Sequence, residues 1–246
     1  MKSLFLSIQN TVFSAAFVLI SMFSVNAQAI SAEPASHQAY VYTELQISAP
    51  FTEIPWKTIN DGIKQQPGFM SKTWLAGSTN NSAGGFYVFD TIENAQKFVT
   101  EYFPNEAKSF GVAQTTRIFD AQATAEASTD MNSVYYDGTL TQKPGAYVYT
   151  EVQISVMPFN EKAPWRARNP FIKKQNGLLS KTWLSGLNTG TIGGFYAFDT
   201  LENAKEFAIN DFPQTAKTLN AAFYTRVFDA SVTEEASIDM SSPFYK

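Results

Sequence analysis

The stretch Pro67–Asp90, PGFMSKTWLAGSTNNSAGGFYVFD, returns as Asn176–Asp199, NGLLSKTWLSGLNTGTIGGFYAFD. Thirteen of the 24 positions are identical at an offset of 109, without a gap. Such a period is too long for a solenoid unit and suits one small domain, so the chain reads as two copies of a domain in tandem. Each copy of the stretch predicts a strand, a loop and a strand. Phe69–Ala76 alternates Met70, Lys72 and Trp74 with Phe69, Ser71, Thr73 and Leu75. A loop of Gly, Ser, Thr and Asn leads to a second aromatic strand, Gly85–Phe89. The pairs Gly84–Gly85 and Gly193–Gly194 open that strand, where they permit a bulge or a close backbone approach. Their spacing is not that of a nucleotide-binding glycine loop.

Outward from this unit, Tyr40–Ser48 (YVYTELQIS) alternates Val41, Thr43, Leu45 and Ile47 with Tyr40, Tyr42, Glu44, Gln46 and Ser48. Tyr147–Ser155 repeats it with one change. Such a strand has one aliphatic core face and one Tyr/Glu/Gln face that is either wet or lines a cavity. Phe51–Gln66 predicts a connection and a helix with Trp56, Ile59 and Ile63 as its apolar stripe. In the second copy Pro170 stands where the first has Asp61, which predicts a kink, or a restart with Asn169 as cap. Capping-box-like starts at Asp90–Glu93 and Asp199–Glu202 open a second helix, expected to break at Pro104 and Pro213. The last strands, Gln114–Asp120 and Phe223–Asp229, end in T-R-[IV]-F-D, and polar extensions beyond them share E-A-S-x-D-M.

The order β-α-β-β-α-β, twice, predicts an α+β fold: tandem ferredoxin-like domains, each with both helices on one face of an antiparallel sheet. The other, aromatic face is too apolar to leave in water, so the two sheets are expected to pack together within the chain, closing a core or enclosing a cavity. The expected boundaries are a signal peptide at 1–29, domains at 40–132 and 147–246, and a linker at 133–146. Lys2, the apolar run through Val25 and Ala27-Gln28-Ala29 form the signal-peptide pattern, implying a periplasmic or secreted protein with no membrane association after cleavage.

Without Lys2, 17 basic residues face 22 acidic ones, which gives no electrostatic footprint for nucleic acid. There is no cysteine, and the only histidine, His37, lies in the polar lead. That composition removes Ser-His and Cys-His nucleophile systems and zinc or haem ligation from the domains. Trp74 and Trp183 are either core residues or the stacking wall of an aromatic-ligand pocket. Arg117 and Arg226 share a strand face with Phe119 and Phe228, and Glu44 and Glu151 on the first strands are their natural partners. Those pairs are either structural or hold a ligand's phenolate or carboxylate. Lys72 and Lys181 are expected to be solvated at the strand edge.

The combination P-G-F-x-x-K-x-W, G-G-x-Y-x-F, an acidic helix start and a last strand ending in F-D resembles the YdhR-like monooxygenases, small ferredoxin-like members of the dimeric α+β barrel superfamily. It covers roughly Tyr40–Asp130 and Tyr147–Asp239, and departs from the family at Asn176, where the first copy has Pro67. Family members are usually homodimers of one domain, so the resemblance implies a monomer that is an internal pseudo-dimer. It implies a pocket under each sheet or within the barrel, and oxygenation of a small aromatic or phenolic compound without metal, flavin or other cofactor. On that reading Glu44, Arg117, Glu151 and Arg226 are the catalytic candidates. Tyr42, Trp74, Tyr87, Tyr149, Trp183 and Tyr196 are the substrate-binding ones. The alternatives are a non-enzymatic binding protein for small apolar ligands and a structural module whose sheets pack shut.

Overall fold

The computed structural model describes residues 37–154 and 165–246; the signal-peptide stretch lies outside them. The first half runs β1 (Ala39–Gln46), α1 (Trp56–Lys64), β2 (Phe69–Ala76), β3 (Ser82–Phe89), α2 (Ile92–Lys97), α3 (Phe103–Phe110), β4 (Gln114–Asp120) and α4 (Ala125–Asp130). The second runs β5 (Ala146–Gln153), α5 (Trp165–Ile172), β6 (Leu178–Ser185), β7 (Thr191–Phe198), α6 (Leu201–Glu206), α7 (Phe212–Thr218), β8 (Phe223–Asp229) and α8 (Glu234–Asp239). Each half forms a four-stranded sheet, β2-β3-β1-β4 and β6-β7-β5-β8, in which the pairings are antiparallel. No described helix is long and apolar enough to cross a membrane.

Strand alternation sorts the core into layers. Val41 and Leu45 face the helices of their own half, where they join Ile63, Phe98 and Phe103. Tyr40, Tyr42, Phe86 and Phe119 face the other sheet and meet Tyr147, Tyr149, Phe195 and Phe228. Equivalent rings stack on each other across the pseudo-twofold axis: Tyr42 on Tyr149 with centroids 4.0 Å apart, and Phe86 on Phe195 at 4.4 Å. The two sheets therefore close on a packed aromatic core rather than on a cavity. Their edges join too. Ser78 N–H donates to Val227 C=O and Leu187 N–H to Ile118 C=O, so β2 meets β8 and β6 meets β4, closing a barrel without open edges there.

Two proline expectations are corrected. The second helix does not break at Pro104 or Pro213. A π-helical turn, Phe98–Tyr102 or Phe207–Asp211, carries the chain into the next segment, whose first turn tolerates proline's missing N–H. Nor does Pro170 restart a helix. It sits within α5, and Asn169 is a buried hydrogen-bonding residue instead of a cap.

The E-A-S-x-D-M extensions are exchanged arms. α4 of the first half packs on the second: Ser128 Oγ accepts from Trp183 N–H, Met131 C=O accepts from Lys181 N–H, and Asp130 takes Asn169 and Lys173. α8 reciprocates on the first half, with Ser237 on Trp74, Met240 on Lys72, and Asp239 on Asn60 and Lys64. The segment between the halves is not a bare linker, since Val134, Tyr135, Tyr136 and Leu140 pack onto the inter-sheet core.

Candidate functional site

The ten candidate residues do not share one pocket. They fall on opposite faces of each sheet. Tyr42, Glu44 and Arg117, with Tyr149, Glu151 and Arg226, lie between the sheets. Trp74 and Tyr87, with Trp183 and Tyr196, lie on the helix side.

Between the sheets the arginines and glutamates pair across the two halves, not within a sheet. Arg117 Nε donates to both carboxylate oxygens of Glu151 at 3.1 Å. Arg226 Nε donates to Glu44 Oε2 at 3.3 Å, and the hydroxyls of Tyr42 and Tyr224 donate to the same oxygen at 2.9 and 2.8 Å. Burial pushes the Glu44 carboxyl up, but the hydroxyls of Ser82, Tyr224 and Tyr42 and the Arg226 charge outweigh it and hold the group below the usual carboxylate range. Its Oε1 has no hydrogen-bond partner, but a carboxylate held below its ordinary range is a weak proton acceptor. These four charged groups lock the halves together. Tyr42→Phe should therefore lower stability by about 1.5 kcal/mol, the worth of one hydrogen bond to a charged group. It should leave ligand binding on the helix side unchanged. Urea unfolding and a ligand titration of the same protein check both halves of that statement.

The helix side holds the pockets. Under the first sheet a cavity of about 140 Å³ is lined by Leu45, Ile59, Lys72, Trp74, Tyr87 and Glu106, among others. Under the second sheet a cavity of about 340 Å³ is lined by Trp165, Arg168, Lys181, Trp183, Tyr196 and Thr215, among others. The second is within the usual size of small-molecule sites. Lys72 and Lys181 are the surprise. Expected at a wet edge, both are 1% exposed. The arms from the opposite half meet β2 and β6 at these residues, Met240 C=O and Met131 C=O accepting from the Lys72 and Lys181 backbone N–H. Each amine sits over its tryptophan, Lys72 Nζ 2.9 Å from the Trp74 ring centroid and Lys181 Nζ 2.8 Å from that of Trp183. Each also lies 4.9 Å from the tyrosine ring beside it. Neither amine has a hydrogen-bond partner among the described residues.

The glycine pairs make this possible. A Cβ at Gly84 or Gly193 would strike the backbone of β1 or β5. One at Gly85 would lie 2.6 Å from Lys72 Cε, and one at Gly194 2.7 Å from Lys181 Cε. The first glycine of each pair admits the neighbouring strand, and the second admits the lysine stem. The tryptophans are held from behind. Trp74 Nε1 donates to Asn60 Oδ1 and Trp183 Nε1 to Asn169 Oδ1, each at 2.8 Å.

Burial pushes both amines well below the ordinary lysine value, but their neighbours differ. Near Lys72 the Glu106 carboxylate pulls the amine back up, while burial raises Glu106 itself. Near Lys181 the Arg168 guanidinium pushes the amine further down. Arg168 thus disfavours the charged form of Lys181, whereas Glu106 favours that of Lys72. Sequence reading missed both lysines, Glu106 and Arg168. The available signal was that Lys72 shares the Trp74 face and that S-K-T-W-L recurs intact in both copies. Among the described residues no cluster of His, Cys, Asp or Glu could hold a metal ion.

Residues 44–132 match the model of the family described as "Putative mono-oxygenase ydhR". Similar solved structures include an anthrone oxidase-like protein, 17% identical with a TM-score of 0.50 over 79% of this chain and 92% of that one. A monooxygenase-titled structure from Fusobacterium nucleatum subsp. nucleatum is 9% identical, with a TM-score of 0.47 over 79% and 93% of the two chains. One from Lactobacillus acidophilus is 8% identical, at 0.44 over 78% and 93%. No curated protein matches the chain. At such identities the solved structures speak to the fold alone. Residues 44–132, which carry one of the two lysine pockets beneath the aromatic barrel core, are similar to the family described as "Putative mono-oxygenase ydhR".

Proposed function

We propose that the second pocket is the reaction site of a cofactor-independent monooxygenase acting on a small phenolic or similarly acidic arene. The observation that carries this reading is the Lys181 amine: buried, held by that burial well below the ordinary lysine value, without a hydrogen-bond partner among the described residues, and facing a mostly apolar cavity. Trp183 and Tyr196, whose rings the Lys181 amine touches, form part of the cavity's aromatic wall.

Such oxygenation needs a base, an anion stabiliser and a dry site. An activated ring CH₂ or phenol gives its proton to Lys181. The carbanion passes one electron to O₂, the radical pair joins to a peroxide, and the peroxide takes up a proton. Loss of the second C–H proton with cleavage of the O–O bond leaves a ketone and water. The sum is R₂CH₂ + O₂ → R₂C=O + H₂O, with all electrons supplied by the substrate. The Lys181 ammonium and Arg168 balance the negative charge on the ring and the peroxide.

The test is oxygen consumption with anthrone, whose ring CH₂ is acidic. The expected result is saturable uptake of one O₂ per anthrone, with one ¹⁸O atom from ¹⁸O₂ in the ketone product and the other in water. Absence of enzyme-dependent uptake, beside saturable binding of the same arene, would instead establish a binding protein.

A further inference from the structure

At the offset of the repeat the two pockets share their lysine, tryptophan and tyrosine but not their charge. Where the first has Ile59 and Glu106, the second has Arg168 and Thr215. Arg168 is half-buried on α5, lines the cavity, and makes no hydrogen bond or ion pair among the described residues. Its charge reaches Lys181. Asp211 at the same cavity is exposed to solvent. The second pocket thus has a fully buried amine at depth and a half-buried, unpaired guanidinium nearer solvent, around an aromatic wall. The first has a half-buried carboxyl near its lysine, and an isoleucine where the guanidinium would be.

We propose that the second pocket takes a phenolic arenecarboxylate, with the carboxylate on Arg168 and the ring hydroxyl toward Lys181, and that the first pocket rejects it. This rests on the oxygenase reading only in taking the second pocket as the ligand site. The planar guanidinium fork suits a carboxylate, and a half-buried guanidinium without a counterion gains most from one. The ring is required because the walls are apolar. Trp165, Trp183, Tyr196 and Phe212 leave a small hydrated anion such as phosphate without partners for its remaining oxygens. The hydroxyl is required because the Lys181 amine at the buried end has no hydrogen-bond partner among the described residues, and a phenol's hydroxyl can supply one. In the first pocket Glu106 would face an incoming carboxylate with like charge, and Ile59 offers it no donor.

Isothermal titration of the intact chain at pH 7 with 6-hydroxy-2-naphthoate and with 2-naphthol tests this. The carboxylate ligand should bind at one site per chain, about tenfold or more tighter than 2-naphthol. Arg168→Ile, which installs the residue of the first copy on the same helix face, should remove that tenfold advantage. The far-ultraviolet spectrum should stay unchanged, which separates loss of the advantage from loss of the fold. Equal affinities for the two ligands, an advantage that survives Arg168→Ile, or two carboxylate sites per chain would each overturn the proposal. If 2-naphthol binds and the carboxylate does not bind more tightly, this inference falls while the pocket reading stands. If the carboxylate binds as expected but no arene is oxygenated, the oxygenase reading falls and this one stands.

Discussion

The Lys181→Met protein should be more stable than its parent at pH 7 and should lose oxygen uptake by a factor of about 10² or more, the usual worth of a general base. Both effects have one cause. Burial, and then Arg168, hold the amine far below its ordinary value of 10.5 in the folded protein, whereas the unfolded chain keeps that ordinary value. Between the two values the unfolded state binds more protons than the folded one, so stability rises with pH across that window. Below the folded value the full penalty of burying a charge remains. Each such lysine contributes a slope of up to about 1.4 kcal/mol per pH unit. Methionine has similar length, no charge, and a sulfur that packs well against Trp183. Urea midpoints of parent and variant at pH 7, 8 and 9 should therefore converge as pH rises, the parent gaining and the variant gaining less. The range stops at pH 9 because the buried tyrosines, raised by burial above their ordinary 10.0, act in the opposite direction once the unfolded chain's phenols ionise. Parallel midpoint curves would mean that Lys181 is a charged structural residue, and its part in the chemistry would fall with them. Lys72→Met should show a weaker pH effect, because Glu106 already offsets part of that penalty.

Much of this architecture is legible in the chain. The strands Phe69–Ala76, Gln114–Asp120 and Phe223–Asp229 have the bounds their alternation predicts. YVYTELQIS states its own two-facedness, and an aromatic face with no helix to cover it implies a second sheet. What sequence could not state is which copy supplies a partner. Face and register place Arg117 beside Glu44 and Glu151 alike. The crossing of the two sheets selects Glu151, and correspondingly Glu44 for Arg226. The same holds for Lys72. Its strand face was clear, but a lysine beside a loop reads as solvated unless something distant covers it. What meets its strand there is α8 and Met240, some 170 residues on, and nothing local announces them. The E-A-S-x-D-M repeat was visible as a string. Its purpose is defined only in three dimensions, because each copy of it serves the other half.

Asn60→Ala should cost about 3–4 kcal/mol, and its effect should be confined to the first half. Asn60 is 0% exposed and joins three elements at once. Its Oδ1 accepts from Trp74 Nε1 at 2.8 Å, and its Nδ2 donates to Ala236 C=O at 3.3 Å and to Asp239 Oδ2 at 2.8 Å. Alanine leaves a buried indole N–H and a carbonyl without partners, each worth about 1–3 kcal/mol, and opens a small void. It also loosens the exchanged arm at the point where α8 meets α1. The amides of Lys72 and Trp74, which donate to Met240 C=O and Ser237 Oγ, should then exchange with deuterium markedly faster. The amides of Lys181 and Trp183, held by the other arm, should keep their protection. Trp74→Phe removes the orphaned N–H, so adding it to Asn60→Ala should cost less than it does alone, a coupling of about 1 kcal/mol or more in a double-mutant cycle. Additive costs would mean that Asn60 merely fills space. Exchange quickened equally on β2 and β6 would mean that the arms yield together, and that the two pockets cannot be perturbed one at a time. A selective response has a direct bearing on the chemistry. It would show that each arm independently holds the strand that carries its pocket lysine, and with it the burial that lowers the basicity of Lys72 and Lys181.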